Sequence, residues 1–135
     1  MAEIQTLAFS TVRETPFEET VSVVRDALRE EGFGVLTEID VKGTLKKKLD
    51  VDFRKYVILG ACNPPYAHKT LEIDLDVGLL LPCNVIVYET DDGKSRVSAI
   101  NPVSALKIME NKALRNIAEE VSGKLQKVVE RVGKK

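Results

Sequence analysis

Residues 60–88 constrain the fold most strongly, because three of the five prolines of the chain interrupt two apolar runs there. A proline cannot donate a backbone hydrogen bond, so it usually stands where a strand or helix begins. The segment also holds both cysteines and the only histidine. Two of its blocks share residue types, Cys62-Asn63-Pro64 and Pro82-Cys83-Asn84. We therefore predict a strand, a helix and a second strand in this order, with one cysteine at each junction.

Hydrophobic periodicity assigns the remaining elements. Short runs that alternate apolar and polar residues predict strands, and apolar residues three or four apart predict amphipathic helices. Thr15 and Glu18 have the spacing of a capping box, and Asn63 with Pro64 indicates a second capped start. The predicted strands are 4–12, 34–40, 56–61, 84–90 and 96–100, and the predicted helices begin at Thr15, Val41, Asn63 and Asn111, with a helical turn over 103–109.

The last helix has the longest apolar stripe of the chain, from Leu114 to Val132, so we expect it to lie across the sheet. The strands on either side of residues 91–94 form an antiparallel hairpin. Strands and helices do not alternate strictly along the chain. These features predict one α+β domain over residues 1–135, with a largely antiparallel sheet packed against helices. The order of the strands does not follow from such patterns.

Charge and composition narrow the class of partners. The 21 acidic residues nearly balance the 20 basic ones, so we expect no basic face for nucleic acid. The chain has neither an apolar run near the ~20 residues that span a bilayer nor the pattern of a signal peptide. A chain of this length can fold without a metal or a disulfide. We expect a soluble cytoplasmic protein with free thiols, no cofactor and no membrane partner.

The cysteine blocks provide the candidate site. Cys62 precedes a helix whose positive end would favour a thiolate. If the strands flanking that helix are adjacent and antiparallel, Cys62 and Cys83 come within reach of a disulfide. This arrangement would suit a redox sensor or a thiol-dependent enzyme. The alternative is that both cysteines are small core residues, and that Asn63 and Asn84 are cap and turn residues.

Two side chains near the cysteines could take part in the same site. His68 could add a ligand to the two thiols or act as a base for Cys62. The positions 62, 68 and 83 lack the closely spaced ligand pairs of a zinc site, so no metal site is predicted. The alternative for His68 is a solvent-exposed histidine, and Tyr66 would be a flanking aromatic residue.

The run of Leu79, Leu80 and Leu81 cannot be hidden on one face of a sheet. At least one leucine is therefore expected to be exposed, to line an apolar pocket, or to be covered by a second subunit. The alternative is that the leucines turn in a helix end and pack wholly inside. We predict a non-enzymatic binding or interaction module that forms homodimers and accepts a small molecule. Its candidate site residues are Cys62, Asn63, Tyr66, His68, Cys83 and Asn84.

Three blocks of the sequence are similar to a family of small bacterial and archaeal proteins described as domain of unknown function 302. The blocks are residues 59–65, residues 79–85 and Asn101-Pro102, and the similarity covers nearly the whole chain. The resemblance implies an open, curved antiparallel sheet against helices, like that of the TATA-binding protein. It implies no nucleic-acid binding and supplies no catalytic residues, because a shared fold does not define a function.

Overall fold

The computed structural model describes residues 3–4 and 7–134 and confirms the predicted α+β class. In chain order the elements are β1 (Glu3–Ile4), β2 (Ala8–Arg13), α1 (Phe17–Glu30), β3 (Gly34–Asp40), α2 (Val41–Leu49), β4 (Tyr56–Cys62), α3 (Pro64–Ile73), a 3-10 helix (Leu75–Leu80), β5 (Cys83–Glu89), β6 (Ser95–Ile100), α4 (Pro102–Leu106), a 3-10 turn (Lys107–Met109) and α5 (Lys112–Lys134). Most boundaries lie within two residues of those predicted from periodicity.

The six strands form one sheet in the order β1-β2-β6-β5-β4-β3, and all neighbours are antiparallel. One face of the sheet packs against α1 and α5. The core between these layers includes Phe9, Leu59, Val85, Val87 and Val97 from the strands and Val24, Leu28, Leu125, Val128 and Val132 from the helices. On the opposite face, the rings of Tyr56 and Tyr88 stack with their centroids 5.3 Å apart.

The first strand is not continuous as predicted. Glu3 pairs with Ser10 and Ile4 pairs with Phe9, so the chain reverses direction and β1 and β2 form a hairpin. Residues 5 and 6 of the predicted strand lie outside the described residues. Alternation of apolar and polar residues does not distinguish one long strand from two short strands that pair with each other.

The capping box predicted from Thr15 and Glu18 is wrong. Helix α1 begins at Phe17 and has no side-chain cap. Thr15 Oγ1 accepts a hydrogen bond from Arg13 Nε at 2.9 Å. Glu18 Oε2 lies 2.8 Å from Lys55 Nζ. Thr15 Oγ1 also lies 2.9 Å from Thr20 Oγ1 of α1. These side-chain contacts take the place of the predicted capping box, which does not form.

Helix α3 is shorter than its apolar spacing predicts. The helical spacing of Ala67, Leu71 and Leu75 predicts a helix that reaches Leu75, but α3 ends at Ile73 and Leu75 is 82% exposed. Asp74 causes the break, because its side chain accepts a hydrogen bond from Asp76 N at 2.9 Å and so caps the following 3-10 helix.

Helix α5 is the longest helix, with 23 residues, and crosses the sheet as predicted. Its buried stripe includes Leu114, Ala118, Val121, Leu125 and Val128. Charged residues occupy its outer face. Among the helices of residues 7–134, none has the length and hydropathy required to cross a bilayer.

Replacing Leu125 with alanine tests the contact between α5 and the sheet. Leu125 is fully buried, so we expect the free energy of unfolding to fall by about 2–5 kcal/mol, measured by chemical denaturation. The control is Lys127→Ala on the exposed face of α5, which should stay within about 0.5 kcal/mol of the wild type. Equal stabilities of the two variants would contradict this packing.

Candidate functional site

Strands β4 and β5 are adjacent and antiparallel, as a cysteine pair would require. However, Cys83 lies opposite Ala61, so Cys62 is one position away from its expected partner. Successive side chains of a strand point to opposite faces, which means that the two cysteines are not cross-strand neighbours on one face. Both are free thiols. They do not form the pair that the sequence suggested.

The thiols are also less acidic than the sequence suggested. Burial raises the pKa of Cys83 to about 11 and raises the pKa of Cys62 above its ordinary value. Loss of water around the sulfur disfavours the thiolate, and this effect outweighs the positive end of α3. Since the thiolate is the nucleophile, the hypothesis of a thiol-dependent enzyme or redox sensor loses its chemical basis.

Both cysteines line a cavity of about 280 Å³ where β4 and β5 meet three helices. It is partly open to solvent and mostly apolar, which is typical of small-molecule sites, so it is a candidate binding site. We call it the inner cavity. It is lined by Phe33 and Leu36, by Ala61 and Cys62 of β4, by Asn63, Tyr66, Ala67, Thr70 and Leu71 at α3, by Leu81, Pro82 and Cys83, by Pro102 and Leu106 of α4, and by Ile117, Ala118 and Val121 of α5.

Three of the residues that line the inner cavity are alanines. Ala61 lies on β4, Ala67 on α3 and Ala118 on α5, so each of three walls carries a side chain that ends at Cβ. A leucine at any of these positions would project into the space. The cavity therefore arises from residue size at three places that are distant in sequence.

The lining of the inner cavity carries no charged side chain. Two of its polar side chains already have partners within the protein. Thr70 Oγ1 donates a hydrogen bond to Ala67 O at 2.8 Å, and Asn63 Nδ2 donates to Glu31 O at 3.2 Å. The surface that remains for a ligand is almost entirely apolar, which favours an apolar molecule.

Asn63 does not cap α3 with its side chain, although it stands at the N-cap position. Its hydrogen bond to Glu31 O instead joins the β4–α3 junction to the end of α1. Gly32 follows Glu31 with a φ of 86°. A Cβ at Gly32 would lie 3.2 Å from Asn63 Nδ2, so the glycine allows this close approach.

Two further contacts hold the walls in place. Asn101 Oδ1 accepts hydrogen bonds from Val103 N at 3.1 Å and from Ser122 Oγ at 2.7 Å, and so fixes α4 against α5. On the other side, Gly60 allows Pro82 to approach β4, because a Cβ at Gly60 would lie 2.8 Å from Pro82 Cγ. These contacts position the prolines that line the cavity.

Four of the six predicted site residues line the inner cavity: Cys62, Asn63, Tyr66 and Cys83. His68 does not. Its side chain is 76% exposed, and its Nε2 lies 3.8 Å from Glu72 Oε1 on the same helix. Asn84 is exposed and also lies outside this cavity. In the described part of the chain, no group of three or more His, Cys, Asp or Glu residues could hold a metal ion.

Sequence reasoning missed the walls contributed by α3, α4 and α5. Ala118 and Val121 were predicted only as members of the buried stripe of α5. Thr70 and Leu106 gave no signal as site residues. An apolar residue beside a cavity has the same periodicity as one in a packed core, so the pattern does not separate the two cases.

The leucine run is partly exposed and partly packed. Leu79 is 87% exposed, whereas Leu80 and Leu81 pack against the small cluster around Val77 and Leu106, and Leu81 also lines the inner cavity. The expectation of at least one exposed leucine is confirmed. The alternative that all three pack inside is wrong.

Comparison with known proteins agrees with the resemblance seen in the sequence. A crystal structure of an uncharacterized conserved DUF302 protein from Bacillus stearothermophilus is similar to this chain, with a TM-score of 0.86 and 32% sequence identity. The match covers 93% of this chain and 97% of that one. No curated protein matches this chain. Residues 9–132 match the family model described as "Domain of unknown function DUF302", and the chain therefore belongs to this family.

Proposed function

We propose that this protein binds a small, uncharged, apolar molecule in the inner cavity and performs no covalent chemistry on it. The observation that carries the proposal is a cavity of about 280 Å³ whose lining has no charged side chain. Small-molecule sites have volumes of about 300–1,000 Å³ and mostly apolar walls, so this site suits a ligand at the small end of that range.

The cysteines belong to the wall in this proposal. With raised pKa values both thiols stay protonated near neutral pH, and a protonated thiol behaves as a small hydrophobic group. The proposal includes a cytoplasmic location, where reducing conditions keep such thiols free. The near balance of acidic and basic residues favours a small molecule over nucleic acid as the ligand.

Self-association is a second proposal, and it concerns a different surface. Leu75 and Leu79 belong to the same 3-10 helix and are 82% and 87% exposed. Contiguous exposed apolar side chains are typical of surfaces that a partner covers, and two exposed leucines on one short helix would suit such a surface. We propose that a second copy of the chain covers them.

Binding to the inner cavity is tested with an uncharged apolar probe such as 1-octanol. We expect saturable binding by calorimetry and a melting temperature that rises with probe concentration. Ala67→Phe fills the inner cavity and should weaken binding at least tenfold. The matched control is Ala113→Phe, which makes the same change at an exposed position of α5 and should bind like the wild type. Equal binding by both variants would exclude this site.

Alkylation by iodoacetamide tests the protonation state of the thiols. We expect slow reaction at pH 7, and the rate for Cys83 should keep rising with pH up to about 11, because only the thiolate reacts. Cys62→Ser and Cys83→Ser variants assign the rates to single residues by mass spectrometry. A rate that reaches its plateau below pH 8 would restore the reactive-thiol hypothesis.

Light scattering tests the second proposal. A dimer has twice the 15.0 kDa mass of the chain. Leu79→Asp should shift the protein to the monomer, because a carboxylate in an apolar interface loses its hydration. Leu49→Asp, at an exposed leucine of α2, is the control and should remain dimeric. A monomeric wild type would remove the proposal.

A further inference from the structure

A second cavity, of about 250 Å³, lies next to the inner one. It is bounded by the 3-10 helix Leu75–Leu80, the start of β5, the end of β6 and α4. We call it the outer cavity. Leu79 and Ala105 line the outer cavity but not the inner one.

The two cavities share one wall. Five residues line both: Leu81, Pro82, Cys83, Pro102 and Leu106. Since the same side chains face both spaces, a single layer of side chains separates them. Leu81 and Leu106 are the flexible members of that layer, because leucine can change rotamer whereas proline has a fixed ring.

The outer cavity has one polar side chain that the inner cavity lacks. Neither lining contains a charged side chain. Asn84 lines only the outer cavity and is exposed, and its amide can both donate and accept hydrogen bonds. One end of the combined space is therefore apolar, and the other end offers a neutral polar contact beside solvent.

We propose that the ligand is a neutral single-chain amphiphile, such as a long-chain primary alcohol, that occupies both cavities. Its hydrocarbon tail fills the inner cavity, its chain passes between Leu81 and Leu106, and its polar end lies at Asn84. This inference rests on the proposed function and extends it to a ligand class. A carboxylate head group is disfavoured, because neither lining offers a cation to pair with it.

The two volumes set the expected length. At roughly 30 Å³ for each water-sized group, the inner cavity takes a chain of about nine such groups. A longer chain extends either into the outer cavity or into solvent, where added carbons gain no affinity. We therefore expect affinity to keep rising beyond nine carbons only if the two cavities act as one site.

The test measures the affinity of primary alcohols with six to sixteen carbons for the full chain by calorimetry. In the wild type we expect about a fourfold gain for each added methylene, continuing past nine carbons. Ala105→Phe fills the outer cavity and should lower the affinity of the fourteen-carbon alcohol to the level of a nine-carbon one, which is about a thousandfold for five methylenes at about fourfold each. Ala113→Phe is the matched control and should bind the long alcohol like the wild type. If a thermal melt shows that Ala105→Phe does not fold, the smaller substitution Ala105→Met replaces it in the same measurement.

The outcomes separate the two proposals. A plateau at about nine carbons in the wild type, or an unchanged affinity in Ala105→Phe, would overturn the two-cavity site and leave inner-cavity binding intact. Equal affinity for the fourteen-carbon fatty acid would overturn the neutral head group. A loss of affinity in Asn84→Ala for alcohols, but not for alkanes of equal length, would support the placement of the polar end. If no alcohol of any length binds, both proposals fail.

Discussion

The antiparallel ladder between β4 and β5 decides both the core and the site. In its register Val57 lies opposite Val87, Leu59 opposite Val85 and Ala61 opposite Cys83. A slip of one residue would place Cys62 opposite Cys83, but it would also turn the buried side chains of β4 to the other face. Burial is worth about 1.5–3 kcal/mol for each large apolar side chain, whereas a disulfide closing a loop of this length adds roughly 3 kcal/mol. The apolar residues therefore set the register, and the cysteines stay unpaired.

The sequence was sufficient for elements whose signals are local. The alternation in β3 and the spacing in α2 predicted both elements without error. Several failures come from side-chain contacts that periodicity does not show. Glu18 pairs with Lys55, far along the chain, and Thr15 Oγ1 bonds Arg13 Nε and Thr20 Oγ1. The strand order is non-local in the same way, because β2 pairs with β6 across more than eighty residues.

Only part of the candidate site was predictable from the sequence, because local patterns show residue type but not burial. Cysteine, asparagine and proline stand out in a sequence, and Cys62, Asn63 and Cys83 were found where the inner cavity is. The reactive-thiol chemistry considered for them is not supported, because burial cannot be read from residue spacing and it dominates the pKa of Cys83. The sequence did not predict the inner cavity itself, because Ala67 and Ala118 have the same periodicity as well-packed core residues.

The cavity has an energetic consequence that bears on function. Replacing small residues around a space by larger ones commonly stabilises a protein, because it adds apolar contacts. The alanines on β4, α3 and α5 do not make the apolar contacts that larger side chains would make there. The three sequence blocks that resemble the family each contribute to the same lining, through Ala61, Pro82 and Pro102 among others. Residues that served stability alone would be expected to close this space. Their convergence around an open one favours a role in binding, in which a ligand supplies the missing contacts.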